Sequence, residues 1–171
     1  GGIYGLFANS GLIAWRFSDH GPYAAAPVVV TNEDGADQLV VVSQSGVVTA
    51  LTVGGGKTIW QREIGEQVMA DVALFDVTND GQADLLLADR SGRLISIDSA
   101  NGKLLVSSEK QSAVGYLASP VIGDINNDQL AEVVVADQRG GITAYTINRS
   151  LLSGTTPWAR SQHLRAGGSL N

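Results

Sequence analysis

Asp76, Asp80 and Asp84 stand four residues apart in DVTNDGQADLLLAD, residues 76–89, and Gly81 directly follows the second carboxylate. With Asp76 as the first position, side-chain oxygens fall at positions 1, 3, 5 and 9 (Asp76, Thr78, Asp80, Asp84), and the Gln82 carbonyl is available at position 7. Alternate residues of a tightly turned loop can point inward at one centre, and glycine permits the sharp bend. Hard oxygen donors carrying three negative charges suit Ca²⁺ better than zinc or copper. DINNDQLAEVVVAD, residues 124–137, repeats the pattern with Asp124, Asn126, Asp128, the Leu130 carbonyl and Glu132, although Gln129 replaces the glycine and strains the loop. Two calcium sites are therefore expected. The competing reading of both loops is an Asx-rich turn whose carboxylates cap backbone N–H groups without metal. TNEDGADQL keeps Asn32, Asp34 and Asp37 but lacks a carboxylate at the first position, so no tight site is expected there.

Other chemistries fit poorly. An EF-hand needs a bidentate Glu at the twelfth position, which is Leu87 here, and LLLAD reads as strand rather than helix. GGGKT at 54–58 resembles the end of a phosphate-binding loop, but the leading glycine would be Leu51 and TIWQREI reads as strand. His20 and His163 are the two histidines, and neither a His-x-x-x-His pair nor a G-x-S-x-G elbow occurs. The absence of cysteine excludes a disulfide framework, a thiolate zinc site and a cysteine nucleophile. No catalytic constellation and no organic cofactor site is expected.

The elements that position the acidic loops follow from a repeat. GGIYGLFANSGLIAW begins at Gly1, GVVTALTVGGGKTIW at Gly46, GRLISIDSANGKLLV at Gly92 and GGITAYTINRS at Gly140, starts that lie 45, 46 and 48 residues apart. Gly11, Gly56 and Gly102 fall in register, as do Trp15 and Trp60. The Trp pair is expected to serve blade packing. QLVVVSQSG, DLLLADRSG and EVVVADQRG lead into the last three copies, and Asp89 and Asp137 are expected to form turns after their strands. Each unit reads as four strands, for example about 27–31, 38–44, 47–53 and 58–64, joined by Gly-, Asn- and Asp-rich turns. The aliphatic runs Leu39–Val42, Leu85–Leu87 and Val133–Val135 suggest strands buried on both faces. A four-stranded unit recurring every 40 to 50 residues is the signature of a β-propeller blade.

The predicted fold is all-β: four-stranded antiparallel blades, about three and a half of them, belonging to a larger ring of seven or eight. The expected boundaries are a partial blade at 1–23, blades at 24–69, 70–117 and 118–157, and a tail at 158–171. The ring would be completed by upstream blades or a second copy. The tail, with Arg160, His163 and Arg165, reads as a basic latch or as an extension closing the last blade.

The totals agree with this class. The chain has 171 residues, enough for one domain with a real core, and only 16% are charged while 44% are hydrophobic and 21 are glycine. A net charge of -6 without a basic cluster argues against nucleic acid. Residues 38–56 carry no charge, but Ser43, Gln44, Ser45 and Gly46 divide them into two short β-rich runs rather than a membrane helix. The chain opens at GGIYG without a signal-like segment, as a mature product or a fragment would.

With repeat and loop placed, the chain resembles the FG-GAP family of calcium-binding β-propeller repeats, found in integrin alpha chains and in bacterial surface and periplasmic proteins. DVTNDGQADLLLAD matches that family's calcium loop and following strand, and DINNDQLAEVVVAD matches it with the glycine lost. The resemblance covers residues 24–147 and implies Ca²⁺ ligation at Asp76, Thr78, Asp80 and Asp84, and at Asp124, Asn126, Asp128 and Glu132. The GVVTALTVGGGKTIW half of the repeat is similar to the propeller repeat shared by quinoprotein dehydrogenases and by non-catalytic outer-membrane assembly lipoproteins. Together the resemblances imply a non-catalytic, calcium-stabilised interaction module of a secreted, periplasmic or cell-surface protein, with a protein or glycan partner. The alternative is part of a polysaccharide-acting or quinone-dependent propeller enzyme whose catalytic residues lie outside this chain.

Overall fold

A computed structural model describes residues 1–32, 34–110 and 112–150, with side chains left undescribed at 148–150. The predicted tail and the last residues of the fourth blade, including any fourth strand there, lie outside the described residues.

Thirteen strands and no helix are present among the described residues. β1 (Ile3–Leu6) and β2 (Ile13–Phe17) form a two-stranded sheet. β3 (Val28–Thr31), β4 (Asp37–Val42), β5 (Val47–Thr52) and β6 (Thr58–Glu63) form a four-stranded sheet in sequence order. β7 (Ala73–Phe75), β8 (Asp84–Ala88), β9 (Leu94–Ile97) and β10 (Leu104–Ser107) repeat it. β11 (Val121–Gly123), β12 (Leu130–Ala136) and β13 (Ile142–Ser150) form a three-stranded sheet. Every pairing is antiparallel. The fold is thus the expected all-β propeller: a half-blade, two whole blades and a fourth described through its third strand. The strands of the second blade fall within two residues of their predicted bounds.

The blades pack face to face because a strand sends alternate side chains to opposite faces. In the third blade Leu85, Leu87, Ile95 and Ile97 join a core with Val40, Val48, Ala50 and Trp60 of the second. The residues between them, Leu86, Ala88 and Leu94, join Ala131, Val133 and Val135 of the fourth in a separate core. A strand so placed has no solvent face, which is why its sequence is a continuous aliphatic run rather than an alternation. Leu85–Leu87 is buried throughout, whereas Leu39 and Val134 in the neighbouring runs are only half-buried.

Side-chain links recur at the repeat period. The Ala26 amide donates to Asp71 Oδ1 at 2.6 Å, and the Asp71 amide donates in turn to Ser119 Oγ at 3.0 Å. These residues precede β3, β7 and β11, so each blade's first strand is tied to the next blade. Asp89 and Asp137 form the expected turns: each accepts the backbone N–H groups two and four residues ahead, at 2.8 to 2.9 Å. Buried Asp89 also accepts from Arg93, 2.9 Å away.

The tryptophans do more than fill space within a blade. Trp15 Nε1 donates to the Val53 carbonyl at 2.9 Å, and Trp60 Nε1 donates to the Ser99 carbonyl at 3.0 Å. Their rings lie on Gly56 and Gly102 so closely that a methyl group there would stand 2.4 and 2.5 Å from ring carbons. Each indole therefore reaches into the turn of the following blade. Only glycine suits those turns, since both also have φ above +60°.

Candidate metal centre

Both acidic loops join the first strand of a blade to the second, with Asp84 opening β8 and Glu132 lying inside β12. Strand pairing fixes these residues: Phe75 pairs with Asp84, and Gly123 with Glu132. Each side chain turns back into its loop. Asp84 Oδ2 accepts the Val77 and Thr78 amides at 2.8 and 3.2 Å, and Glu132 Oε2 accepts the Ile125 amide at 3.0 Å.

The first positions match as well. Asp76 accepts the amides of Asn79, Asp80 and Gly81, while Asp124 accepts those of Asp128 and Gln129. Asp80 Oδ1 and Asp128 Oδ1 each accept the amide two residues ahead at 2.8 Å. In the second loop Asn126 also holds Asp128, accepting its amide and donating to its carboxylate, both at 2.9 Å.

The backbone carries the strain that the missing glycine implies. Gly81 has φ of +88°, and Gln129, its counterpart, has φ of +71°. Asn79 and Asn127 share a left-handed conformation at +61° and +63°. A left-handed non-glycine residue costs roughly 1–2 kcal/mol, so the second loop holds its shape against a larger local penalty. Such strain persists where the surroundings over-determine it.

The two loops differ in convergence. Oxygens of Asp124, Asp128 and Glu132 lie within 4.8 Å of one another, and this is the one such acidic group of three among the described residues. Glu132 is 2% exposed, and its Oε1 has no hydrogen-bond partner. In the first loop Asp76, Asp80 and Asp84 are spent on backbone amides without converging so tightly. Thr78 is exposed and Gln82 half-buried, and Leu130 is half-buried in the second loop.

Asp84 responds to its burial. Desolvation pushes its pKa up to about 6, against the pull of the Val77 and Thr78 amides, and the charges of Asp80 and Asp98 add to the rise. Among the described residues Asp84 has no ion-pair partner. The donor set at both loops is oxygen throughout, which fits a hard cation such as Ca²⁺. The buried, unpartnered Glu132 oxygen makes the second loop the better fit of the two.

The remaining sequence candidates sit apart from this geometry. In the 31–37 loop, Asn32 caps the Ala36 amide and Thr31 donates to Asp37, each at 2.8 Å. GGGKT forms the β5–β6 turn. His20 is a surface residue 3.2 Å from Asp19, and His163 lies outside the described residues. What the sequence reading missed is the vacant oxygen of Glu132 and the break in the indole series, where Val106 occupies the place of Trp15 and Trp60. The aligned repeats carried the second signal.

A family model described as outer membrane protein assembly factor BamB matches residues 1–145. The BamB assembly factor of Salmonella typhimurium is 29% identical over 89 residues, covering 52% of this chain and 21% of that protein. The crystal structure of BamB from Moraxella catarrhalis superposes with a TM-score of 0.58 at 16% identity, over 84% of this chain and 46% of that one. A computationally designed protein, Ika4, gives 0.56 at 16% identity, over 86% of this chain and 80% of the design. Sqt1 of Saccharomyces cerevisiae gives 0.56 at 12% identity, over 87% and 46%. The chain thus spans about a fifth of the curated relative and less than half of the Moraxella structure.

Proposed function

The chain belongs to the propeller family described as outer membrane protein assembly factor BamB, and from that membership we propose that it is a non-catalytic interaction module holding a protein partner outside the cytoplasm. The observation that carries this reading is the extent of the match, residues 1–145, which takes in nearly every described strand. A protein partner in outer-membrane assembly is what the relative's description supports. No helix among the described residues is long and apolar enough to cross a membrane. These blades form part of a ring completed by upstream blades or a second copy.

Calcium is the structural component of this proposal, and it is where the FG-GAP resemblance enters. Asp124, Asn126, Asp128, the Leu130 carbonyl and Glu132 would hold one ion, and Asp76, Thr78, Asp80, the Gln82 carbonyl and Asp84 a second. Bound there, Ca²⁺ supplies positive charge to buried carboxylates at a blade corner. The chain's own part is to fix those oxygens by strand pairing at one end of each loop and by amide hydrogen bonds at the other.

A photo-crosslinking residue at exposed Ile125 or Val29 tests the interaction reading in the cells that make the protein. Mass spectrometry should identify a protein of outer-membrane assembly as the crosslinked partner. Reproducible retention on a glycan array, with no protein crosslink from either position, would overturn it.

A further inference from the structure

Trp15 and Trp60 stand fifteenth in their repeats, and each closes the joint ahead of it with an indole ring. Val106 stands fifteenth in the third repeat. Its cross-strand partner is Ser96, where Trp60 faces Ala50 and Trp15 faces Gly5. An isopropyl group in place of an indole underfills the joint between the third and fourth blades, and a cavity of about 200 Å³ lies there.

The walls define what would fit. Leu86, Leu94, Val106, Tyr145 and Ile147 make the cavity largely apolar, and among the described residues no ionised side chain lines it. Ser96 also lines it, and the Ser96 hydroxyl is buried without a hydrogen-bond partner. Ile147 is eighth in its repeat, the place from which the Val53 and Ser99 carbonyls accept indole N–H groups. Val106 is 53% exposed, so the cavity has an entrance at the blade surface.

We infer that this cavity is a binding site for a small planar aromatic molecule with one hydrogen-bonding edge, of the indole class. A charged ligand would lose its hydration with nothing on the described walls to replace it. A purely apolar ligand would leave the Ser96 hydroxyl unpaired, which an N–H donor corrects. Size agrees, since an engineered apolar cavity of about 150 Å³ already takes up benzene. Shape agrees too, because the preceding joint closes on an indole with the same strand geometry. The site is independent of the protein partner proposed above: it lies within a blade joint and takes a small molecule.

The test is titration of 5-fluoroindole into the full chain, followed by ¹⁹F NMR and by amide shifts in the ¹⁵N–¹H spectrum. Saturable binding should perturb amides around Leu94–Ser96 and Tyr145–Ile147. Val106→Trp should weaken binding at least tenfold by filling the space, with Val106→Phe as a smaller plug if the larger ring disturbs folding. Ser96→Ala should weaken fluoroindole several-fold while leaving fluorobenzene unaffected. Absence of binding to the folded wild type would overturn the proposal, as would undiminished binding to a folded plugged variant. Binding seen only after Trp158→Ala would mean that the chain's own tail occupies the cavity, and would overturn it as well.

Discussion

The joint between the second and third blades is closed by the Trp60 indole, while the next joint, built on the same repeat, has Val106 and a cavity. The strands on either side are otherwise alike: β5–β6 and β9–β10 are antiparallel hairpins with a register shift one residue from the turn. Blade formation therefore tolerates wide variation among aliphatic residues, because strand pairing rests on backbone hydrogen bonds and a general requirement for burial. Joint closure is less forgiving. It depends on one large ring, a small residue beneath it and a glycine in the next turn, so a single change at position 15 leaves the blades intact and the joint open.

The largest effect is expected from removing the ring that the comparison turns on. Trp60 is 9% exposed and bonds to Ser99, so Trp60→Ala should destabilise the chain by about 3–5 kcal/mol, read from the urea midpoint. Trp60→Phe should recover most of the packing but not the N–H bond. A loss below about 1 kcal/mol for Trp60→Ala would mean that the indole is not what closes the joint.

The glycines beneath the rings sharpen this. Gly102→Ala places a methyl 2.5 Å from Trp60 on a backbone with φ of +74°, so strain and clash combine to an expected loss of roughly 2–3 kcal/mol. Gly11 has nearly the same φ, +69°, but open space where the methyl would go, so Gly11→Ala should cost only about 1 kcal/mol. The difference between the variants isolates the indole contact from the backbone penalty. Equal losses would show that φ alone demands glycine.

The acidic loops extend the comparison to a second connection at the same end of the blade. β7–β8 and β9–β10 turn on one side of the sheet, and Asp98 of the second turn acts on Asp84 of the first. At an affinity of about 10⁻⁴ M and roughly 1 mM free ion, a Ca²⁺ site stabilises the fold by about 1.4 kcal/mol. The melting temperature should rise with Ca²⁺ and fall with chelator. Asp128→Ala should remove more of the rise than Asp80→Ala, because the carboxylates converge in the second loop and not in the first. No shift in the wild type, with no metal by elemental analysis, would sink the staple.

Much of this was legible in the residues and some was not, for physical reasons. The repeat of GVVTALTVGGGKTIW with GRLISIDSANGKLLV predicts four-stranded blades because period and turn chemistry are local properties. The amide-capped loop around Asp76 was likewise legible, since its carboxylates and the amides they accept are close in sequence. The greater convergence around Glu132 was not, because DVTNDGQAD reads as the more regular loop of the two. Its counterpart compensates for the lost glycine with a left-handed Gln129 and an Asn126–Asp128 pair, a balance set by backbone geometry rather than composition. The links from Asp71 to Ala26 and from Trp60 to Ser99 join residues about 40 positions apart, and no spacing rule within one blade exposes them.

The smallest expected effect is the most direct repair of the comparison. Val106→Trp restores the indole series at the joint that lacks it, above a cavity walled by Leu86, Leu94 and Tyr145. Cavity-filling substitutions commonly add about 0.5–2 kcal/mol. The lower end is expected here, because Ser96 lies under the new ring where Trp60 has Ala50, and because the turn glycine that receives the other indoles has no counterpart in register in the fourth repeat. Val106→Trp together with Ser96→Ala should therefore exceed the single change, by removing a buried hydroxyl without a partner. Urea unfolding of the pair decides the matter. A gain that grows with Ser96→Ala places the ring in the vacant joint, whereas a loss of more than about 1 kcal/mol in both variants shows that the cavity is not shaped for an indole.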